Sequence, residues 1–299
     1  MIEFKENFKG RYEKLTDFEE FEKAITSPLR KSIRINTLKN SVKELKSNLI
    51  GLEQIPWCRE GFYIEKKETA VGNLKEHFLG YFYVQEAASM IPALILNPKE
   101  GDLVLDMAAA PGSKTTQIAA LMKNKGVIIA NDIKWDRIKA LSMNLQRCGV
   151  LNTIITIYKG EFFPDIRFDK ILLDAPCSGT GTLQKSPDTL RIYNPGMIKK
   201  LSYQQRRLVL RACSLLKPNG ILVYSTCSLE PEEDEEVIDY LLQKTDAKLE
   251  SAKLLKLKSS PAILKFEGKE YNSEIEKCLR IWPQDNNTEG FFVAKIRKA

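Results

Sequence analysis

Apolar and polar residues follow two textures along the chain, and the change falls near residue 100. Beyond it, LVLDM (103–107), VIIAND (127–132), TIITIY (153–158), KILLD (170–174) and ILVYST (221–226) are short aliphatic, β-branched runs. Runs this short and continuously apolar read as strands buried on both faces. The stretches between them step at helical period. Ile138, Leu141, Leu145 and Cys148 are spaced 3, 4 and 3 apart; Leu201, Leu208, Ala212 and Leu215 are spaced 7, 4 and 3 apart. Each set puts its apolar residues on one helix face. Strands alternating with amphipathic helices predict an α/β fold, a doubly wound, mostly parallel sheet covered on both sides. GFFVAKI (290–296) supplies a last strand, expected as the antiparallel edge.

The first third is more mixed. IRINTLK (33–39) alternates apolar and polar residues and reads as a strand, and VKELKSNLIGL (42–52) has helical spacing. GYFYVQEAASMIPALIL (80–96) reads as a short strand leading into a buried helix. The expected organisation is an N-terminal α/β extension over residues 1–95 and a larger domain over residues 96–299.

Composition narrows the class. The 299 residues are 43% hydrophobic and 28% charged, which excludes disorder, collagen and coiled coil. Forty-six Lys and Arg against 39 Asp and Glu give +7, an excess that permits a polyanionic partner without demanding one. The opening MIEFKENFKGRYEKL lacks the apolar core of a signal peptide. No apolar run approaches the roughly 18 residues of a membrane span. The chain is therefore expected to be soluble, cytoplasmic and compatible with a monomer. Six cysteines without a C-x-x-C pair, and a single histidine, His77, argue against a metal site. Hydrolase chemistry would have to use His77, which has no nucleophile near it in sequence and reads as a surface or half-buried loop residue.

Ligands of an open α/β sheet bind at the carboxyl ends of its strands, so the residues after each strand carry the candidate chemistry. Asp106 ends the first strand and AAAPGSKT (108–115) follows. Small residues, Gly112 and a following helix let a ligand approach backbone N–H groups. Gly112 is the only glycine there, so the loop is neither G-x-G-x-x-G nor a P-loop; it suits a small carboxylate such as a methionine tail. Asp132 ends the second strand, where an acid can accept from both ribose hydroxyls and can also cap a helix starting at Lys134. Arg137 lies near that pocket or on a solvated helix face. DAPCSG (174–179) and STCSL (225–229) end the fourth and fifth strands, placing Cys177 and Cys227 on one rim. A free cysteine is most often a small buried hydrophobe, but both of these sit in polar turns. Since the thiolate is a nucleophile, the pair points to thiol chemistry. Residues 230–239 read as a helix start, with Pro231 early and acids matching the dipole.

Charge adds a partner. Between Gly181 and Gly220, Lys185, Arg191, Lys199, Lys200, Arg206, Arg207, Arg211 and Lys217 stand against one acid, Asp188. A basic stretch flanking the candidate site suits a phosphate backbone; a solvated helix face is the other reading.

These motifs together resemble the Sun-type RNA cytosine-C5 methyltransferases, which use S-adenosylmethionine. The matching segments are IRINTLK, YVQEAASM (83–90), LDMAAAPGSKTTQIA, LLDAPCSGTG, YSTCSLEPEEDE and TEGFFVAK (288–295). The resemblance implies a Rossmann-like class I methyltransferase domain with a small RNA-contacting N-terminal extension, and tRNA as the substrate. It implies that Cys227 adds to C6 of cytosine, making C5 nucleophilic, and that Cys177 assists release once the C5 proton has gone. Asp174 would hold the N3/N4 edge of the base, with Lys114 reaching toward it. Ala108, Ala109, Ala110, Pro111, Gly112, Ser113, Lys114, Asp132, Arg137 and Asp174 would hold the cofactor. Arg34 and Lys39 join the basic stretch as candidate RNA contacts. Two segments depart from the family: Tyr158-Lys159-Gly160-Glu161 replaces the usual adenine-side acid unless Glu161 serves, and Trp282-Pro283-Gln284 stands where Trp-Pro-His is common. The base that removes the C5 proton is left unassigned. Two competitors remain, an exocyclic-amine methyltransferase and an RNA-binding assembly factor that does not catalyse. DAPC departs from the Asp/Asn-Pro-Pro-Tyr/Phe turn of the first, and no motif looks eroded as the second requires.

Overall fold

A computed structural model describes residues 4–49, 51–65 and 71–299. Two sheets organise the chain. The first has β1 (Ser32–Ile35), β2 (Leu52–Gln54), β3 (Gly61–Ile64) and β4 (Phe82–Val84), in the order β2-β3-β1-β4 and antiparallel throughout. The alternation in IRINTLK implied one wet face, yet all four residues of β1 are buried. Ile33 and Ile35 pack with Leu45 and Leu49, from the helix Val42–Asn48 and its C-cap, while Arg34 points into the larger domain.

The second sheet holds β5 (Leu103–Asp106), β6 (Val127–Asn131), β7 (Thr153–Thr156), β8 (Phe168–Asp174), β9 (Leu216–Thr226) and β10 (Lys248–Glu250). After a small hairpin, β11 (Lys265–Phe266) and β12 (Lys269–Glu270), come β13 (Leu279–Ile281) and β14 (Phe291–Arg297). The order is β7-β6-β5-β8-β9-β14-β10, parallel from β7 to β9. β14 runs antiparallel to β9, as expected of GFFVAKI, but it is not the edge, because β13 and β10 each pair with part of its outer side. The sheet is thus the doubly wound α/β arrangement with antiparallel strands at one edge. Strand order reverses between β5 and β8, which opens a crevice at their carboxyl ends. The loops after β5, β8 and β9 converge there.

Helices cover both faces. The helix Trp135–Cys148 buries Ile138, Leu141, Leu145 and Cys148, the residues its spacing singled out, and stops at Gly149 with φ 71°. A left-handed glycine is the usual way to end a helix. Each of the three aliphatic side chains contributes roughly 1.5–3 kcal/mol by leaving water. The helix Ile91–Leu96 packs its apolar side chains onto the sheet with Val104, Leu172 and Val223. Two N-terminal helices, Glu6–Tyr12 and Phe18–Thr26, insert Phe8, Tyr12 and Phe21 into a cluster with Tyr193 and Trp282. These two helices are thereby fixed beside the β9 loop, against Leu229. Among the described residues, no helix is long and apolar enough to cross a membrane.

Candidate active site

The loop after β5 is held by its own backbone. Ala109 N–H donates to Asn131 O (2.8 Å), and Gly112 N–H donates to Ala109 O (2.7 Å). Gly112 has φ 102°, and a Cβ there would lie 2.9 Å from Leu141 Cδ1; only glycine fits. It caps the helix Ser113–Leu121. Asp106, just before the loop, is 1% exposed and accepts from Thr115 Oγ1 (2.7 Å), while its Oδ1 has no partner. Burial pushes this carboxyl up to about 7.

Asp132 is buried and turned onto the same loop. Its Oδ2 accepts from Ala110 N–H (3.3 Å) and lies 3.4 Å from the Arg137 guanidinium, which also donates to Ala110 O (2.6 Å). Its Oδ1 accepts from Lys134 N–H (3.1 Å), but the helix starts one residue later, at Trp135, with Lys134 in the cap position. The predicted N-cap role is therefore corrected: Asp132 anchors the loop before the helix. Ala108, Ala109, Ala110, Pro111, Ser113, Lys114, Arg137, Asp174 and Cys227 line one cavity of about 440 Å³. Gly112, Asp132 and Cys177 lie outside its lining.

The parallel register aligns Asp174 with Ser225 and so brings the β8 and β9 loops side by side. Cys177 and Cys227 meet there with their sulfurs 3.4 Å apart, both half-buried. The hydrogen bond with the Cys227 sulfur, and then burial, hold the Cys177 thiol well above its ordinary range. Lys114 Nζ donates to Asp174 Oδ2 (2.7 Å) and to Ser89 Oγ (3.1 Å), and Ser225 Oγ donates to Asp174 Oδ1 (2.8 Å). Burial works against the Lys114 charge, but the Asp174 carboxylate outweighs it and the ammonium is held above its usual range.

The acids after Cys227 differ from expectation. The helix begins at Glu235, and residues 230–234 form a buried turn instead of its exposed first turn. Glu233 accepts from Ser178 N–H (3.0 Å), Ser228 Oγ (2.6 Å), Gln205 Nε2 (3.0 Å) and Ser178 Oγ. One carboxylate therefore clamps the residue after each cysteine. Glu230 accepts from Tyr12 OH (2.7 Å) and Arg11 Nε (2.8 Å), tying the N-terminal helix to the same turn. Asp234 and Glu235 are paired with the fully buried Arg280 of β13. The sequence hid these roles because an acid-rich run looks like a solvated helix start.

The basic stretch is also less free than its sequence implied. Lys185, Arg191, Arg206, Arg207, Arg211 and Lys217 each lie within 4 Å of a carboxylate. Most of these partners come from distant segments, which no local count could see. Among the described residues, Lys199 and Lys200 lack such a partner. Glu161, the possible adenine-side acid, is held by Arg207 (2.8 Å). Arg34 is 2% exposed and donates to Ser113 O (2.8 Å) and Thr116 Oγ1 (2.8 Å), so it braces the cofactor-loop helix from within instead of offering a surface contact. Lys39 donates to Leu79 O and Arg147 O. His77 lies in a short helix, Lys75–Phe78, half-buried against Phe82.

Comparison with known proteins agrees with this geometry. Residues 93–297 match the family model described as 16S rRNA methyltransferase RsmB/F, and residues 3–87 match the N-terminal domain of 16S rRNA methyltransferase RsmF. The tRNA (cytosine(49)-C(5))-methyltransferase of Pyrococcus abyssi is 50% identical over 99% of this chain and 99% of its own length. The ribosomal RNA small subunit methyltransferase F of Aliivibrio fischeri is 44% identical over 94% of this chain, which spans 60% of that relative. A methyltransferase homologue from Pyrococcus horikoshii superposes with a TM-score of 0.88 at 40% identity, covering 100% of this chain and 96% of its own. NSun6 from the same organism, solved with SFG, gives 0.86 at 28% identity over 99% of both chains. The two matches together take in nearly the whole sequence, both cysteines included, and the chain belongs to the RsmB/F family of RNA methyltransferases.

Proposed function

We propose that the chain transfers a methyl group from S-adenosylmethionine to carbon 5 of cytosine in tRNA, in the cytoplasm, through a covalent adduct on Cys227. The observation that carries this reading is the 3.4 Å approach of the two sulfurs beside the Lys114–Asp174 pair. The cavity fits the cofactor. The unpartnered Asp106 Oδ1 on its wall suits an ammonium group, and the small side chains of Ala108 to Ala110 leave room beside it. S-adenosylmethionine supplies an electrophilic methyl group when bound.

The chain's own residues supply the rest. The Cys227 thiolate adds to C6, which turns C5 into an enamine-like nucleophile. Asp174, fixed by Lys114 and Ser225, accepts from the amino edge of cytosine and orients the ring. After methyl transfer and loss of the C5 proton, the C6–S bond breaks. Cys177 then donates its proton to the departing Cys227 sulfur. Residues 1–95 are proposed to contact the RNA body, with residues 96–299 carrying the reaction. The choice of tRNA rests on the Pyrococcus abyssi relative, which matches over nearly its full length.

Bisulfite sequencing of tRNA and rRNA incubated with the protein and S-adenosylmethionine tests the proposal. A cytosine protected in tRNA, dependent on Cys227, is expected. Protection confined to rRNA contradicts the substrate, and protection in neither contradicts the reaction.

A further inference from the structure

The reaction proposed above needs a group to take the C5 proton, and neither thiol is free for it: Cys227 is bonded to C6, and the Cys177 thiol, held above its ordinary range, has the role of proton donor to the departing sulfur. Strand pairing offers a candidate. β14 runs against β9, and their pairing ends with Phe292 opposite Thr226, one residue before Cys227. Glu289 and Phe291, at the entry to β14, line the same cavity as Cys227. Three backbones are stitched together at that point: Gly290 N–H donates to Gly181 O (2.8 Å), and Gly181 N–H donates to Cys227 O (2.9 Å). A Cβ on Gly181 would lie 2.3 Å from Gly290 O and 2.8 Å from Cys227 O, so this closeness is built in.

Glu289 lines the same cavity as Cys227 and Asp174. It is 5% exposed, and its Oε1 has no hydrogen-bond partner, with the Lys185 ammonium 3.9 Å away. An unpaired, buried carboxylate oxygen is costly, and such groups cluster where chemistry needs them. Behind it, Glu86 accepts from Glu289 N–H (3.2 Å), Ala88 N–H (2.6 Å) and Ser89 N–H (3.1 Å). The charged groups facing Glu289 are therefore Glu86, Lys185 and Lys114. Burial raises both carboxyls above their usual range. The Glu289 charge raises Glu86 further, while Lys185 and Lys114 draw Glu289 back. Raised by burial, the Glu289 carboxyl is a stronger base than a surface carboxylate.

We infer that Glu289 is the catalytic base that removes the C5 proton, an assignment that rests on the covalent cytosine-C5 reading above. In that step the Glu289 carboxylate takes the proton from C5 of the methylated adduct. The C5–H electron pair forms the C5=C6 double bond, the C6–S bond breaks, and its electrons return to Cys227. The proton leaves Glu289 for solvent before the next turnover.

The test uses the full chain, S-adenosylmethionine and tRNA carrying tritium at C5 of cytosine. Glu289→Gln is expected to transfer methyl normally in a single turnover and to accumulate a methylated covalent complex. Tritium release should fall by about 100-fold or more, the range lost with a general base. Release that keeps pace with methyl transfer, or methyl transfer lost together with release, overturns the assignment. Should Glu289→Gln not fold, Glu289→Asp withdraws the carboxylate by one methylene and is expected to slow release selectively; equal slowing of both steps overturns it. Cys227→Ala, assayed in parallel, separates the underlying reading: methylation or tritium release without Cys227 defeats the covalent mechanism itself, whatever Glu289 does.

Discussion

Truncating Glu233 to alanine should unfasten both cysteine loops at once. Four donors converge on this fully buried carboxylate, from Ser178 N–H, Ser178 Oγ, Ser228 Oγ and Gln205 Nε2. The two hydroxyls lie 3.2 Å apart and can turn to each other. Ser178 N–H is fixed by the backbone, and the second amide hydrogen of Gln205 is committed to Pro176 O (2.8 Å). Two donors are thus left unpaired in Glu233→Ala, at about 1–3 kcal/mol each, so the expected destabilisation is about 2–6 kcal/mol. Glu233→Gln preserves the shape and reverses one acceptor against a hydroxyl that can rotate, so its cost should be the smaller of the two. Catalysis should suffer beyond stability, because a displacement of about 1 Å between reacting groups costs on the order of 100-fold. Urea denaturation measures the first effect, and single-turnover methyl transfer at a temperature where the variant stays folded measures the second. If Glu233→Ala keeps both its denaturation midpoint and its turnover, the clamp argument is wrong.

Two further perturbations follow from the buried charges. Burial raises the Asp106 carboxyl from 3.8 to about 7; a folded-state pKa above the unfolded one gives stability that is full at acid pH and lost as pH rises through about 7. The ceiling of that loss is about 4 kcal/mol, so Asp106→Asn should gain in denaturation midpoint over wild type as pH rises from about 4 to about 7 and no further above it, and a pH-independent difference contradicts the assignment. Arg280→Met leaves Asp234 and Glu235 as buried acids without their cation; removing one partner from such a pair costs about 3–5 kcal/mol. Partial recovery at acid pH, where those carboxyls are neutralised, is expected in a denaturation series. A loss unchanged by pH refutes the ionic origin.

Much of the larger domain was legible because its signals are local. Continuous apolar runs gave β5 to β9, and the 3-4-3 spacing gave the buried face of Trp135–Cys148. Both cysteines were legible as a rim pair, since parallel order fixes which strand ends are neighbours. What escaped reading was set by partners far away in sequence. Arg34 looked like the wet residue of an alternating strand, but the helix Ser113–Leu121 covers that face and accepts from its guanidinium. The Glu230–Asp234 turn looked solvated, yet its acids meet Arg11, Tyr12, Ser178 and Arg280 across separations of tens to hundreds of residues. The helix Pro195–Ser214 hides Ser202 and Gln205 on its buried face, where an apolar pattern gives no hint of a polar tether.

The most direct test of the account is the identity of the sulfur bound to RNA. Incubating the Cys177→Ala protein with S-adenosylmethionine and tRNA, then digesting and sequencing the cross-linked peptide by mass spectrometry, reads it out. A stable adduct whose modified peptide contains Cys227 is expected, absent in the Cys177→Ala, Cys227→Ala double variant. An adduct that survives loss of Cys227, or methylation that proceeds without it, would contradict the mechanism.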